Sequence, residues 1–389
     1  MLDLIVILAI FLLVLNSNRR IARKYAEADR PMLVRSLNGL FVYHCIFSFL
    51  FPLIPGDSLG YWYFSFEQIV THSDKIWDYW GVGTIFLLFL DFIPARIMGL
   101  SFLTGNFLYG VLGFLGMRYL FRLFIEKLKV NVKIFGLPVI PFLFYFPNMN
   151  FWTAGVGKDT LCFFGIACFL YSLMSFGKRI IPLVLSFALV YYIRPPMAMI
   201  LMGGATIGIV FSGKVKLVYR LLVPVAALGV FFMAYSQVAK FLKVDDLSVK
   251  SLQHVATDKA IILSRGATSS SINISGYSVP FRLFTYLYRP LFFDVHNFIS
   301  LSASIENLVY LLITIMWIKA VKWRDFRQMP FWMVTGGVIF LLAMLVFSNS
   351  LGNLGIIMRM KNMTMIYFLF VMIWSMSERE AEQKLIQPS

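Results

Sequence analysis

Long apolar runs recur along the whole chain, separated by short breaks rich in Pro, Gly, Asn and basic residues. Runs of this kind mark transmembrane helices, because an α-helix needs about 18 or more apolar residues to cross a hydrocarbon core of roughly 30 Å. The pattern predicts eleven spans, near 3–17, 37–54, 101–123, 134–148, 160–176, 180–193, 197–213, 218–241, 299–318, 330–348 and 362–377. The run at 180–193 is the shortest of them. Two longer stretches interrupt the pattern. Residues 56–100 mix aromatic side chains with Asp57, Glu67, Asp74, Asp78 and Asp91, which predicts helices lying in the membrane interface near 60–80 and 84–99. Residues 243–298 have a polar middle, ATSSSINISGYS, from Ala267 to Ser278. The predicted fold is all-α: a polytopic transmembrane helical bundle, one membrane domain over 1–389, with outer loops 56–100 and 243–298.

Composition agrees. Of the 389 residues 59% are hydrophobic and only 14% charged, where a soluble domain carries about a quarter charged residues. The net charge is +16. In a soluble protein that excess would point to nucleic acid; in a membrane protein it marks the cytoplasmic loops. The basic clusters do fall on alternate connections: Arg19, Arg20, Arg23, Lys24, Arg30 and Arg35; then Arg118, Arg122, Lys127, Lys129 and Lys133; then Lys178 and Arg179; then Lys214, Lys216 and Arg220; then Lys319, Lys322, Arg324 and Arg327; then Arg379 and Lys384. This parity predicts an N-terminus outside and a C-terminus in the cytoplasm. The run from Leu4 to Leu15 has its positive charges after it rather than before, so it is expected to stay as an uncleaved first span. Cys45, Cys162 and Cys168 all lie in apolar runs, with no metal-ligand spacing and no disulfide framework.

Candidate chemistry gathers at the outer ends of the spans. Ionisable groups are costly at membrane depth and so tend to mark function. The predicted outer face carries Asp57, Lys158, Asp159, Arg194, Asp245, Asp246, Arg265, Arg282, Arg289, Asp294, His296, Arg359 and Lys361. Many cations with a few carboxylates suit a phosphate or diphosphate, for which arginine adds a bidentate fork. Each residue also has a plainer role. Asp57 follows Pro55-Gly56 and can cap a helix; Lys158 and Asp159 open a span and can snorkel and offset the helix dipole. Arg194 precedes two prolines that can start a helix, and Arg359 and Lys361 can flank the last span. Arg282 and Arg289 are spaced to share a helix face turned to lipid headgroups. His44 and Glu306, inside spans, are expected to be satisfied buried polar groups. Phosphate-loop, zinc-protease, nucleophile-elbow and dinucleotide motifs are absent, which argues against an ATP-driven pump.

An acidic residue at the outer end of an early span, then a long outer loop with interfacial helices, then many spans with outer basic residues: this resembles the GT-C class of integral membrane glycosyltransferases. The stretches FPNMNFWTAGVGKDTL, YYIRPP, LYRPLFF with SASIEN, and GNLGIIMRMK are similar to membrane proteins of bacterial polysaccharide gene clusters. The resemblance implies a transferase or polysaccharide polymerase in the bacterial cytoplasmic (inner) membrane. It would move sugar from a polyprenyl-phosphate-linked donor to a glycan or lipid acceptor on the extracytoplasmic face, without cofactor or metal. Asp57 matches the acidic position of that class, and the Asp245-Asp246 pair is the other acidic candidate. Lys158, Asp159, Arg194, Arg282, Arg289, Arg359 and Lys361 carry over as a group of candidate substrate and phosphate binders. No nucleic acid partner is expected. A different function class, a transporter or flippase of lipid-linked oligosaccharide, would need polar groups reachable from both faces. Convergence of Asp57, Lys158, Arg194 and Arg359 on one ligand-sized cavity is the structural condition that a single outer site must meet.

Overall fold

The computed structural model describes residues 1–54, 56–65, 73–211, 215–242, 258, 270–274 and 276–386. The described chain is helical almost throughout: α1 Leu2–Ala22, α2 Arg30–Leu50, α3 Ser58–Tyr63, α4 Thr84–Asp91, α5 Phe102–Lys127, α6 Val139–Phe142, α7 Pro147–Trp152, α8 Lys158–Leu173, α9 Ile180–Ile193, α10 Pro195–Val210, α11 Leu217–Leu242, α12 Val279–Tyr288, α13 Phe298–Ala320, α14 Trp323–Gln328, α15 Phe331–Ser350, α16 Leu354–Asn362 and α17 Met365–Ile386. Among the described residues five helices are long and apolar enough to cross a membrane, namely α1, α2 with its flanking turns, α5, α13 and α15. The number is six if α16 and α17, bent by 56° at their junction, count as one. The fold is the all-α multi-pass membrane bundle expected from the sequence.

Among the described residues the helices do not supply eleven separate full spans. Helices α8, α9 and α10 have 16, 14 and 16 residues, so they are roughly 21–24 Å long at 1.5 Å per residue. The apolar run at 134–148 is not one helix. It contains a two-residue antiparallel hairpin, Lys133–Ile134 with Leu137–Pro138, then α6 and a 3-10 turn over Leu143–Tyr145. Pro138, Pro141 and Pro147 remove backbone donors and break any continuous helix. Irregular backbone is tolerated here because Val139, Ile140, Leu143 and Phe144 are buried in protein. In the first outer stretch, Phe64 adopts a left-handed φ of 54° and ends α3, so no single helix covers 60–80. The second predicted helix is continuous: α4 runs on into a π-helical turn over Phe92–Ile97.

Helix α5 lies between α2 and α8, and α8 packs in turn on α9. Lipid is as apolar as leucine, so close backbone approach and van der Waals contact hold such helices together. At Gly113 of α5 a Cβ would lie 1.8 Å from the Thr153 carbonyl oxygen. The missing side chain lets the segment 153–157 rest directly on α5. Outward-facing Leu4, Ile5, Leu8, Leu12 and Leu13 of α1 are exposed and fit contact with lipid.

Polar side chains collect at the two ends of the bundle. At one end the Glu126 carboxylate of α5 accepts from the hydroxyls of Tyr25 (2.8 Å) and Tyr171 (3.0 Å) and pairs with Arg122 (3.1 Å). The Arg179 guanidinium lies 4.1 Å from the centre of the Tyr171 ring. Lys129 pairs with Glu378 at 2.5 Å, and Arg379 donates to the Ala320 carbonyl, also at 2.5 Å. The basic connections after α1, α5 and α8 therefore share an end with the C-terminal helix α17. Lys158 and Asp159 sit at the other end of α8, about 18 Å from Tyr171.

Candidate functional site

Asp57, Lys158, Asp159, Arg194 and Arg359 line one cavity of about 140 Å³. They arrive from four parts of the chain: the turn before α3, the first turn of α8, the break between α9 and α10, and α16. Tyr61, Trp152 and Thr160 also line it. Three cations face two carboxylates, so these ionisable residues carry a formal charge of +1.

The segment that presents Lys158 is held on all sides. The His44 ring contacts the Asn150 side-chain oxygen (2.9 Å) and the Thr153 carbonyl (3.2 Å). The Asn106 side chain accepts from the Val156 backbone N–H at 2.9 Å, and the Thr160 hydroxyl donates to the Gly155 carbonyl at 2.6 Å. A Cβ at Gly155 would strike the Phe51 ring. Glu306 is buried and accepts from the Asn148 backbone N–H at 2.5 Å, and the Asn148 side chain accepts from the Trp152 indole N–H at 3.0 Å. His44 and Glu306 are thus partnered buried groups that fix the wall of the cavity without entering it.

Asp159 is the hinge of the charge arrangement. One carboxylate oxygen accepts from Arg194 Nη2 at 2.5 Å and the other from Arg359 Nε at 2.7 Å. The N-cap of α8 is Gly157, so Asp159 works as a bridge between two arginines rather than as a cap. Arg194 also donates to the Met360 sulfur at 2.5 Å and is largely covered. Arg359 is 40% exposed, spends only its Nε on Asp159, and lies 4.8 Å above the Trp152 ring. Among the described residues its two terminal nitrogens make no hydrogen bond and can meet an anion. The Lys158 ammonium donates to the Thr84 hydroxyl at 2.7 Å and lies 5.7 Å from the Tyr61 ring centre, and among the described residues its two further donors are not engaged.

Asp57 occupies the N-cap position of α3, yet its side chain makes no cap hydrogen bond. Its carboxylate is exposed at the mouth of the cavity. Burial, reinforced by the negative charges of Asp57 and Asp159, pushes the Tyr61 hydroxyl up to about 12, so it stays protonated and can act as a donor.

The remaining predicted binders lie elsewhere. Arg289 forms a two-pronged pair with Asp294, at 2.5 and 3.0 Å. Arg282 donates to the Asn349 side chain and the Tyr277 carbonyl, both at 3.0 Å. Lys361 is buried and donates to the Asn307 side chain at 2.5 Å and the Leu287 carbonyl at 3.0 Å. None of these three lines the cavity. The helix explains the split between Arg359 and Lys361: two residues apart on α16 means about 200° around the axis, so they point to opposite sides. Asp245, Asp246 and Arg265 lie outside the described residues. Sequence reasoning gave no role to Tyr61, Thr84 and Trp152. Trp152 was visible inside the Pro/Asn/Gly break beside Lys158, but nothing in the spacing joins it to Arg359. The chain was compared with protein-family models, with curated proteins and with solved structures, and it matches none of them.

Proposed function

We propose that this chain is a membrane glycosyltransferase or polysaccharide polymerase that uses a polyprenyl-phosphate-linked sugar at the end of the bundle carrying Asp57. The observation that supports this best is the meeting of Asp57, Lys158, Arg194 and Arg359 on one cavity. The donor phosphate sits against Lys158 and the free edge of Arg359, while Asp159 and Arg194 hold that arginine in place. Asp57 accepts the proton of the acceptor hydroxyl as its oxygen attacks the anomeric carbon. The bond from that carbon to the phosphate oxygen breaks, and the charge developing on the leaving polyprenyl phosphate is met by preorganised cations. The positive-inside rule supports reading the opposite, arginine-rich end as cytoplasmic; on this proposal the membrane is a bacterial inner membrane and the cavity faces its extracytoplasmic side.

Transport is less well supported. Between Thr160 and Tyr171, α8 presents Leu161, Phe163, Ile166, Phe169 and Leu170, all buried apolar side chains, between the two polar ends. The test is sugar transfer by the purified full chain in liposomes supplied with a polyprenyl-phosphate sugar. Transfer by the wild type, lost in Asp57→Asn at unchanged membrane insertion, supports the proposal. Donor movement across the bilayer without transfer overturns it in favour of a flippase.

A further inference from the structure

A second cavity, of about 460 Å³, opens at the opposite end of the bundle between the last turn of α1 and the first turns of α2. Arg19, Arg23, Arg30 and Arg35 surround it, over a floor that includes Ala22 and Val34. Arg30 is engaged by Glu27 at 2.9 Å and by the Tyr25 carbonyl at 3.2 Å. Among the described residues Arg19, Arg23 and Arg35 pair with no carboxylate. The pocket therefore concentrates uncompensated guanidinium groups, whose planar forks match a phosphate.

The surface leading from it identifies the kind of phosphate. On α1, Leu8, Leu12, Arg19 and Arg23 fall within about 60° of one another, and Leu8 and Leu12 are exposed. On α2, Arg35, Val42 and Ile46 fall within about 40°, and Val42 and Ile46 are exposed. Each stripe runs about 16 Å from its arginine to its farthest apolar residue, which is the depth of one leaflet's hydrocarbon, half of roughly 30 Å. A free phosphate or an acidic peptide has no use for apolar tracks of that length. We infer that this pocket binds the phosphate of an anionic phospholipid from the leaflet at the arginine-rich end, with its acyl chains lying along Leu8 and Leu12 of α1 and along Val42 and Ile46 of α2. The site is separate from the cavity at Asp57 and does not depend on what that cavity does.

The test uses the purified full chain in nanodiscs of phosphatidylcholine doped with phosphatidylglycerol, with retained lipid counted by native mass spectrometry. The wild type is expected to retain phosphatidylglycerol over phosphatidylcholine, with retention falling as salt is raised and unaffected by millimolar inorganic phosphate. The triple variant Arg19→Gln/Arg23→Gln/Arg35→Gln is expected to lose that preference on the order of a hundredfold, at about fivefold per arginine. The matching Lys variant, which keeps the charge, is expected to keep most of it. Wild-type retention that is salt-independent, or that inorganic phosphate displaces, overturns the inference. Equal retention by a Gln variant with wild-type helical circular dichroism overturns it as well.

Discussion

Arg359 and Asp159 are 200 residues apart in the chain, and their side chains meet at 2.7 Å. Asp159 holds Arg194 with its other oxygen, so one covered carboxylate sets two guanidinium groups that belong to different parts of the bundle. Removing that charge leaves two cations facing each other across the cavity. Asp159→Asn is predicted to destabilise the protein by about 2 kcal/mol, less than a fully buried pair because Arg359 is partly exposed. A fall in apparent melting temperature in detergent, partly restored by also changing Arg194 to Gln, checks this. Unchanged stability in the single variant would show that the bridge holds nothing.

Lys158 gives one donor to Thr84, whereas Arg194 is largely covered and tied to Asp159 and Met360. Lys158→Ala is predicted to weaken donor binding about tenfold, the scale of one charge-assisted hydrogen bond, with a smaller change in kcat. Arg282→Ala, on a residue outside the cavity that is tied to Tyr277 and Asn349, is predicted to leave donor binding within a factor of about two, since effects at sites without shared partners are nearly independent. Donor titrations of the two variants side by side make the comparison.

The loop carrying Lys158 depends on a glycine it never touches with a side chain. In Gly113→Ala the new methyl would collide with the Thr153 carbonyl oxygen, 1.8 Å from the ideal Cβ position. The cost is predicted at about 1–3 kcal/mol, the usual range for overpacking, together with loss of donor binding as 153–157 shifts. Gly337→Ala, where nothing lies within 4 Å of the added atom, is the control and is predicted to be neutral in binding.

Asp91 predicts a pH effect. It is fully buried, one oxygen meets the Tyr109 hydroxyl at 2.6 Å, and burial raises its carboxyl from 3.8 to about 7. A carboxyl raised on folding contributes stability in its neutral form. That contribution is complete below 3.8, is lost as pH rises towards about 7, and changes no further above it. Asp91→Asn, neutral at every pH, is predicted to remove this slope from a plot of melting temperature against pH. An identical slope in both proteins would place the titration elsewhere.

The all-α bundle was legible because the apolar runs are long and the basic clusters alternate. The run at 134–148 misled because hydrophobicity reports burial, and burial inside protein looks like burial in lipid; its prolines carried the information that it is no helix. At the site, Asp57, Lys158, Arg194 and Arg359 were readable as charges ending apolar runs. Lys361 satisfied the same description and points the other way, because run-end position does not give rotation about the helix axis. Tyr61, Thr84 and Trp152 were not readable: their part depends on contacts between segments that no local pattern encodes.

The outer-site proposal stands or falls with Asp57, whose carboxylate caps no helix and opens on the cavity. The measurement is initial-rate sugar transfer by Asp57→Asn and wild type in the same liposomes, with donor affinity recorded separately. General-base catalysis contributes typically 10²–10⁴-fold, so the predicted result is a loss of at least about a hundredfold in kcat with donor affinity kept. Wild-type kcat in Asp57→Asn, with protein folded and donor bound, would contradict it.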